Sequence, residues 1–414
     1  MTDIPAVPEG GDPTAGMSSR EMLNYYLSKS YSDARIGKAK GELVCWSSSI
    51  APNEFCEAMG IHMLYPENHA AAVGARHGAL ELLDVAEKDG YSIDNCAYAR
   101  INLAYMKTQE CVGESMPLPD FVIICNNICE TLVKWYENLA HELDIPIIFI
   151  DVPYNYEYDP TPRSIEYISQ QFTSAIRQLE EITGRPFDYE KFDAAMDMSI
   201  QSCYWWSKAM AMASAIPSPL NGFDIFNYMA LIVCMRGKAG CRDTFKKLAE
   251  ELQEKIDRGE GAFKDGEKCR FMWDGIAVWP YLSPCYKTFK GLGMNMTGST
   301  YPNAWNMDYV KGDMASMARA YTSVFNNMSL DWQIDLKEDV VKRYNCKGVT
   351  YHLNRSCKCM GFLFQEIQEE VKRRTGTPYI TFDGDQCDPR NFSVAQFQTR
   401  VQSLAEMIDQ HEKE

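Results

Sequence analysis

The stretch Phe-Val-Ile-Ile-Cys-Asn-Asn-Ile-Cys-Glu at 121–130 decides the fold, because an apolar run there gives way to a polar turn and then to a helical pattern. Pro146 follows that helical pattern and opens a second apolar run, which ends at Asp151. Two short apolar runs separated by a helical segment predict a β-α-β unit with parallel strands. Proteins with parallel sheets bind their ligands at the carboxyl ends of the strands. Cys129 therefore lies where a ligand would bind.

The same pattern returns near the end of the chain. An apolar run begins at Val349, Asn354 and Cys357 follow it, and a helical pattern leads to Pro378 and Asp383. In both copies the Asn precedes the Cys by three residues, and the Asp follows the Pro by five. The repetition predicts an α/β protein built from two related parallel-sheet domains.

Helical periodicity dominates between the two copies, from 163 to about 256, and a Pro-Ser-Pro at 217–219 interrupts it once. Strand character returns at 270–279, and Pro280 is expected to end this strand. The predicted division is a disordered tail at 1–18, an N-terminal α/β domain with a helical start at 19–160, a helical middle region at 161–262 and a C-terminal α/β domain at 263–414.

Composition narrows the function. The formal charge is −16, from 41 basic and 57 acidic side chains, which disfavours nucleic acid as a partner. The sequence has no apolar run long enough to span a membrane and no signal-like start, so we expect a cytoplasmic protein without membrane contact. Its fifteen cysteines are expected to be reduced.

Cys129 and Cys357 face each other across two related domains in this interpretation, which favours a metal cluster over a disulfide. A cluster needs a third ligand, and Cys96 in a polar loop is the best-placed candidate. Cys125, inside the strand pattern, and Cys359, whose side chain should point away from that of Cys357, are the alternatives. Three thiolates would leave one iron open to bind a substrate.

The competing interpretation is structural: Cys129 and Cys357 pack under helices, and Asn126 and Asn354 cap those helices. Other cofactor sites find less support. The sequence contains no Cys-x-x-Cys pair, no Gly-x-Gly-x-x-Gly and no Gly-x-Ser-x-Gly, which disfavours a zinc ribbon, a dinucleotide fold and a serine hydrolase.

Several longer motifs resemble the 2-hydroxyacyl-CoA dehydratase family, in particular its alpha-type, substrate-binding subunit. They are Tyr-Pro-Glu-Asn-His-Ala-Ala at 65–71, Cys-Asn-Asn-Ile-Cys at 125–129, Ser-Pro-Leu-Asn-Gly-Phe-Asp at 218–224, Asn-Arg-Ser-Cys-Lys at 354–358 and Phe-Asp-Gly-Asp-Gln at 382–386. The stretches at 41–47 and 275–280 are most similar to members that dehydrate lactoyl-CoA. Cys359 and Cys387 depart from the commoner pattern, which has Leu at the first position and Ala or Thr at the second.

The resemblance implies that Cys96, Cys129 and Cys357 hold a [4Fe-4S] cluster with one open iron. It also implies that Ser49 and Glu67 lie beside that iron, where a hydroxyl and a carboxylate could position water or the substrate hydroxyl. Taken alone, Ser49 would be a turn residue and Glu67 a first-turn carboxylate favoured by the helix dipole.

The implied reaction is the iron-sulfur-dependent dehydration of a (R)-2-hydroxyacyl-CoA to the 2-enoyl-CoA, through a ketyl radical formed by one-electron reduction of the thioester. Lactoyl-CoA is the favoured substrate, and phenyllactyl-, 2-hydroxyisocaproyl- and 2-hydroxyglutaryl-CoA are alternatives. The implied partners are a smaller beta-type subunit, which could carry a flavin, and an ATP-hydrolysing iron-sulfur activator, in an anaerobic host. A benzoyl-CoA-reductase-like component and a non-catalytic electron-transfer subunit are the rival functions.

Overall fold

The computed structural model describes residues 12–413. The first eleven residues of the predicted disordered tail therefore lie outside the described part of the chain. Residues 12–17 form turns that lead to Ser18, whose hydroxyl accepts a hydrogen bond from the backbone of Glu21 and begins the first helix.

Residues 12–413 contain eight β-strands and sixteen α-helices. The strands are β1 Val44–Ser47, β2 His62–Leu64, β3 Phe121–Cys125, β4 Ile147–Ile150, β5 Cys269–Asp274, β6 Met294–Ser299, β7 Gly348–Asn354 and β8 Tyr379–Gly384. The α-helices are α1 Ser19–Ala39, α2 Asn53–Met59, α3 Pro66–Ala75, α4 Ala79–Lys88, α5 Ala97–Thr108, α6 Glu130–Leu143, α7 Pro162–Thr183, α8 Tyr189–Ala211, α9 Gly222–Met235, α10 Ala239–Asp257, α11 Leu282–Gly291, α12 Met314–Thr322, α13 Leu330–Arg343, α14 Lys358–Gly361, α15 Phe364–Thr375 and α16 Val394–His411.

The strands form two parallel sheets of four, ordered β2-β1-β3-β4 and β6-β5-β7-β8. The second order repeats the first with every number raised by four, so the two halves share one topology. This confirms the predicted α/β class and the two related sheets. In each sheet the order reverses direction between the first and third strands, which opens a crevice at their carboxyl ends. The division into domains at particular residues stays a prediction.

The repeated motif folds as predicted in both halves, with one correction. Asn126 and Asn354 do not cap the helices that follow them, because the residue at each cap is the cysteine itself. Asn126 instead joins the ends of β3 and β4: its amide donates to Asp151 at 2.6 Å and its side-chain oxygen accepts from the backbone of Val152 at 2.7 Å.

The strand predicted at 270–279 is shorter than expected. It ends at Asp274 because Gly275 takes a positive φ of 107° and brings the chain against His352, where a Cβ would lie 3.1 Å from a backbone oxygen. Only glycine adopts this conformation without strain. The next residues leave the sheet and form a loop with a 3-10 helix at Trp279–Tyr281. The sequence pattern also did not predict β6.

The helical middle region is confirmed as helical and packs on both halves. A buried ion pair lies at the junction: Arg236 at the end of α9 lies 3.5 Å from the carboxylate of Glu54 in α2. Tyr309 and Tyr321, from the second half, donate hydrogen bonds to the same carboxylate. Within residues 12–413, no helix is both long enough and apolar enough to cross a membrane.

Candidate active site

A cavity of about 500 Å³ lies where the carboxyl ends of the two sheets meet. Every strand except β4 is followed, within four residues, by a residue that lines this cavity. These lining residues are Ser49, Glu67, Cys129, Ile276, Tyr301, Cys357 and Gln386. The cavity therefore occupies the crevices of both halves at once.

All five residues predicted for the site line this one cavity: Ser49, Glu67, Cys96, Cys129 and Cys357. The last four come from separate segments that the sequence places far apart. The fold therefore brings together the set named from the sequence, although this does not by itself assign the residues a role.

The three cysteines share a position, because each is the residue that precedes a helix. Cys96 precedes α5, Cys129 precedes α6 and Cys357 precedes α14. Backbone N–H groups in the first turn of a helix point toward its start and favour negative charge there. The local structure thus favours a thiolate at each of the three positions.

Burial opposes ionisation at the same positions. It raises the pKa of the Cys96 and Cys129 thiols to about 12 and raises that of Cys357 as well. Each thiolate would also raise the pKa of another: Cys357 acts on Cys129, Cys129 on Cys96, and Cys96 on Cys357.

In all three cases a backbone N–H three residues further on lowers the pKa of the thiol. These N–H groups belong to Ala99, Leu132 and Met360. The three thiols thus stay protonated unless a cation joins them.

The donor set suits an iron-sulfur cluster, because cysteine thiolates are the usual ligands of such clusters. The three cysteines precede separate helices and line one cavity. Among residues 12–413, no three His, Cys, Asp or Glu side chains converge closely enough to hold one metal ion. A cluster at these cysteines stays a prediction.

Ser49 and Glu67 are joined by a hydrogen bond. The backbone N–H of Ser49 donates to Glu67 Oε1 at 2.9 Å. The hydroxyl of Tyr136 in α6 lies 2.9 Å from Glu67 Oε2 and 2.8 Å from the backbone oxygen of Ser47. Burial raises the pKa of the Glu67 carboxyl, and these hydrogen bonds act against that rise. The carboxyl is therefore fixed in orientation within the cavity.

Contacts between the halves complete the site. Trp305 donates its indole N–H to the backbone oxygen of Ser49 at 2.9 Å, and Gln386 donates to the sulfur of Cys96 at 3.3 Å. Ser356, next to Cys357, accepts a hydrogen bond from the first backbone N–H of α5 at 3.1 Å. Hydrogen bonds to ligand sulfurs tune the potential of an iron-sulfur cluster.

The two alternative thiols differ in position. Cys125 is buried within β3 and is not among the residues that line the cavity. Cys359 lines the cavity and its thiol contacts the backbone oxygen of Ile128 at 3.4 Å, beside Cys129. The expectation that the Cys359 side chain points away from that of Cys357 stays a prediction.

Sequence reasoning did not assign Tyr136, Trp305 or Gln386 to the site. The sequence did carry a signal for two of them: Tyr136 follows the Cys-Asn-Asn-Ile-Cys motif by seven residues, and Gln386 ends the Phe-Asp-Gly-Asp-Gln motif. Trp305 carries no comparable signal.

Residues 48–408 match the family model described as 2-hydroxyglutaryl-CoA dehydratase, D-component. The chain belongs to this family.

Three relatives extend the match. The lactoyl-CoA dehydratase subunit alpha of Anaerotignum propionicum is 49% identical, over 96% of this chain and 98% of its own. The (R)-2-hydroxyisocaproyl-CoA dehydratase alpha subunit of Clostridioides difficile is 46% identical, over 95% and 97%. The (R)-2-hydroxyglutaryl-CoA dehydratase subunit alpha of Acidaminococcus fermentans is 34% identical, over 95% and 97%. The named relatives are subunits of hydro-lyases, so the resemblance found in the sequence is confirmed.

Proposed function

We propose that this chain is the substrate-binding subunit of an enzyme that removes water from a (R)-2-hydroxyacyl-CoA and releases the 2-enoyl-CoA. One observation carries the proposal: a single cavity is lined by three thiols at helix starts, from both halves, and by the partly buried carboxyl of Glu67. The similarity to dehydratase alpha subunits supports it.

We further propose that Cys96, Cys129 and Cys357 hold a [4Fe-4S] cluster. The bound cluster would supply one-electron chemistry and an open iron that can bind an oxygen ligand. The residues suit this group, because the three helix starts favour thiolates and Gln386 already donates to one of the sulfurs.

The chain's own residues would handle the proton. Loss of water requires a proton for the leaving hydroxyl and the removal of a hydrogen from the β carbon. Glu67 and Glu114 are the carboxyl side chains among the described lining residues, and Glu67 is the one that Ser49 and Tyr136 hold in place. In this proposal Glu67 orients the substrate hydroxyl and holds or moves a proton there. The apolar walls exclude water from the reacting atoms.

The lining also bears on the acyl group. Among the described lining residues, the Lys or Arg side chains are only those of Arg20 and Arg76, and both are exposed to solvent. His69, which lines the cavity too, stays neutral because burial lowers its pKa to about 4.

Among the described residues, the inner part of the cavity thus offers no cation that could pair with a free carboxylate at the end of the acyl chain. This favours an uncharged acyl group such as that of lactoyl-CoA, and disfavours 2-hydroxyglutaryl-CoA. Phenyllactyl- and 2-hydroxyisocaproyl-CoA also satisfy this condition.

Two partners belong to the proposal. The relatives are named as alpha subunits, and we propose that this chain likewise pairs with a smaller beta-type subunit. The chain has no Walker A sequence, so an ATP-hydrolysing iron-sulfur activator would have to supply the electron.

The first test measures iron and acid-labile sulfide in the anaerobically purified chain, coexpressed with its partner subunit. We expect Cys129→Ser to lose most of the iron assigned to this chain. Cys359→Ser is the matched control, because it removes a thiol that lines the same cavity but is not a proposed ligand. Equal iron in the wild type and Cys129→Ser would contradict the ligand assignment, and loss in Cys359→Ser alone would assign that thiol instead.

The second test is product analysis of the activated complex with lactoyl-, 2-hydroxyisocaproyl-, phenyllactyl-, 2-hydroxyglutaryl- and benzoyl-CoA. We expect an enoyl-CoA from an uncharged hydroxyacyl substrate. Ring reduction of benzoyl-CoA would support the reductase alternative. Unchanged turnover in both Ser49→Ala and Glu67→Gln would instead support a non-catalytic electron-transfer subunit.

A further inference from the structure

Two exposed arginines line the cavity, Arg20 of α1 and Arg76 at the end of α3. The other exposed lining residues carry no charge; they are Asn24, Ala75, Val112, Thr131 and Cys359. The carboxylates among the described lining residues, Glu67 and Glu114, are both partly buried. The charge that the lining exposes to solvent is therefore positive.

Helix α3 connects one of these arginines to the proposed reaction site. It carries Glu67 in its first turn and is followed at once by Arg76. Their separation of nine positions corresponds to about 14 Å along a helix axis. An extended pantetheine arm can span such a distance. The wall in between is lined by the small side chains Ala71, Ala72 and Ala75, which leave room for that arm.

Both arginines are available to an anion. Arg20 lies 4.0 Å from Asp224, and both side chains are nearly half exposed, so this pair contributes little and can be exchanged. Arg76 has no carboxylate within ion-pair distance among residues 12–413; its guanidinium donates to the backbone oxygen of Ala72 at 3.2 Å.

The loop at Gly113 fixes the position of Arg76. Gly113 has a φ of 103°, and a Cβ there would lie 3.1 Å from the Cδ of Arg76. The absence of a side chain lets the arginine lie against this loop at the edge of the cavity.

We propose that Arg20 and Arg76 bind the phosphate groups of the coenzyme A part of the substrate, so that the thioester enters along α3 with its acyl end toward Glu67. This inference rests on the proposed function. A chain with a net charge of −16 repels a polyanion in general, so binding requires local cations. Arginine is suited to phosphate because its planar guanidinium donates two parallel hydrogen bonds.

The test compares two probes by isothermal titration against the complete complex. Acetyl-CoA carries the phosphates, and S-acetylpantetheine shares its thioester and arm but lacks them. We expect Arg20→Ala and Arg76→Ala each to weaken acetyl-CoA binding about tenfold, which corresponds to about 1.4 kcal/mol, and to leave S-acetylpantetheine binding unchanged. Arg400→Ala is the control, because it removes the same charge from an exposed position on α16 that does not line the cavity.

Wild-type affinity for acetyl-CoA in both cavity variants would overturn the inference, and so would an equal loss for both probes, which would make the arginines structural. In either case turnover by the wild-type complex would leave the proposed function standing. If the wild-type complex bound neither probe and turned over no thioester, the proposed function itself would fail.

Discussion

At the scale of single residues, hydroxyl and amide groups form hydrogen bonds to the carboxyl of Glu67 and the thiol of Cys96. Tyr136 is fully buried, and its oxygen lies within 3 Å of two acceptors, the backbone of Ser47 and the carboxyl of Glu67. A positioning residue of this kind affects turnover without touching the substrate.

We therefore expect Tyr136→Phe to lower kcat of the assembled enzyme by about 10- to 100-fold, the range that follows from losing one hydrogen bond to a charged group. KM should change little, because the substrate does not contact the hydroxyl. Tyr105→Phe is the control: that hydroxyl is buried and donates to the backbone of Met116 at 2.8 Å, away from the cavity. A similar kcat in the two variants would exclude a positioning role for Tyr136.

At the scale of elements, helix α3 forms a wall of the cavity and packs tightly on the second half. Gly74 faces Cys387, and a Cβ at Gly74 would lie 2.5 Å from the Cys387 sulfur. The thiol donates to the backbone oxygen of Ala70 at 3.3 Å. The Cys387 side chain thus fits against α3 because residue 74 is a glycine.

We expect Gly74→Ala to destabilise the protein by about 1–3 kcal/mol, because the added methyl overpacks the interface. In a Cys387→Ala background the same change should be neutral or slightly stabilising, since alanine favours a helix by about 1 kcal/mol over glycine. Urea midpoints of the four proteins measure this coupling. Additive effects would show that the two residues do not compete for the same space.

Strand β7 contributes a titrating group to the core. His352 is fully buried, stacks on Phe382 with ring centroids 4.9 Å apart, and its Nδ1 donates to the backbone of Ile276 at 2.6 Å. Burial lowers its pKa from the ordinary 6.5 to about 4. The folded protein therefore binds this proton less readily than the unfolded chain.

The contribution of neutral His352 to the free energy of unfolding should be fully present above about pH 6.5. It should fall by about 3 kcal/mol in total as the pH drops toward 4. We expect His352→Gln, which cannot titrate, to show a flatter dependence of the melting temperature on pH between 4.5 and 7. Parallel curves for the two proteins would rule out this contribution.

At the scale of the whole molecule, the buried pair of Glu54 and Arg236 joins the first half to the helical middle region, and tyrosines of the second half complete it. Both charged side chains are almost inaccessible to solvent. Removing one partner would leave the other charge buried and unpaired.

We expect Arg236→Met to lower the free energy of unfolding by about 3–5 kcal/mol, and Glu54→Gln in the same chain to restore part of it. Lys134→Met is the control, since its pair with Glu137 is exposed and contributes little. Equal urea midpoints for Arg236→Met and Lys134→Met would show that the buried pair does not stabilise the junction.

The sequence by itself determined the two repeated β-α-β units, the two related sheets and the positions of Cys129 and Cys357 at helix starts, because apolar runs, turns and helix starts are set by neighbouring residues. It also identified the family, because several motifs occur in order along the chain. It did not reveal the early end of β5, since Gly275 leaves the sheet only because His352 lies beside it.

The tertiary structure alone decided which distant groups meet. Gln386 and Cys96 are 290 residues apart in sequence and 3.3 Å apart in the fold. Trp305 meets Ser49 and Tyr136 meets Glu67 in the same way, across 256 and 69 residues of sequence. These placements follow from packing between distant segments, which no local pattern records.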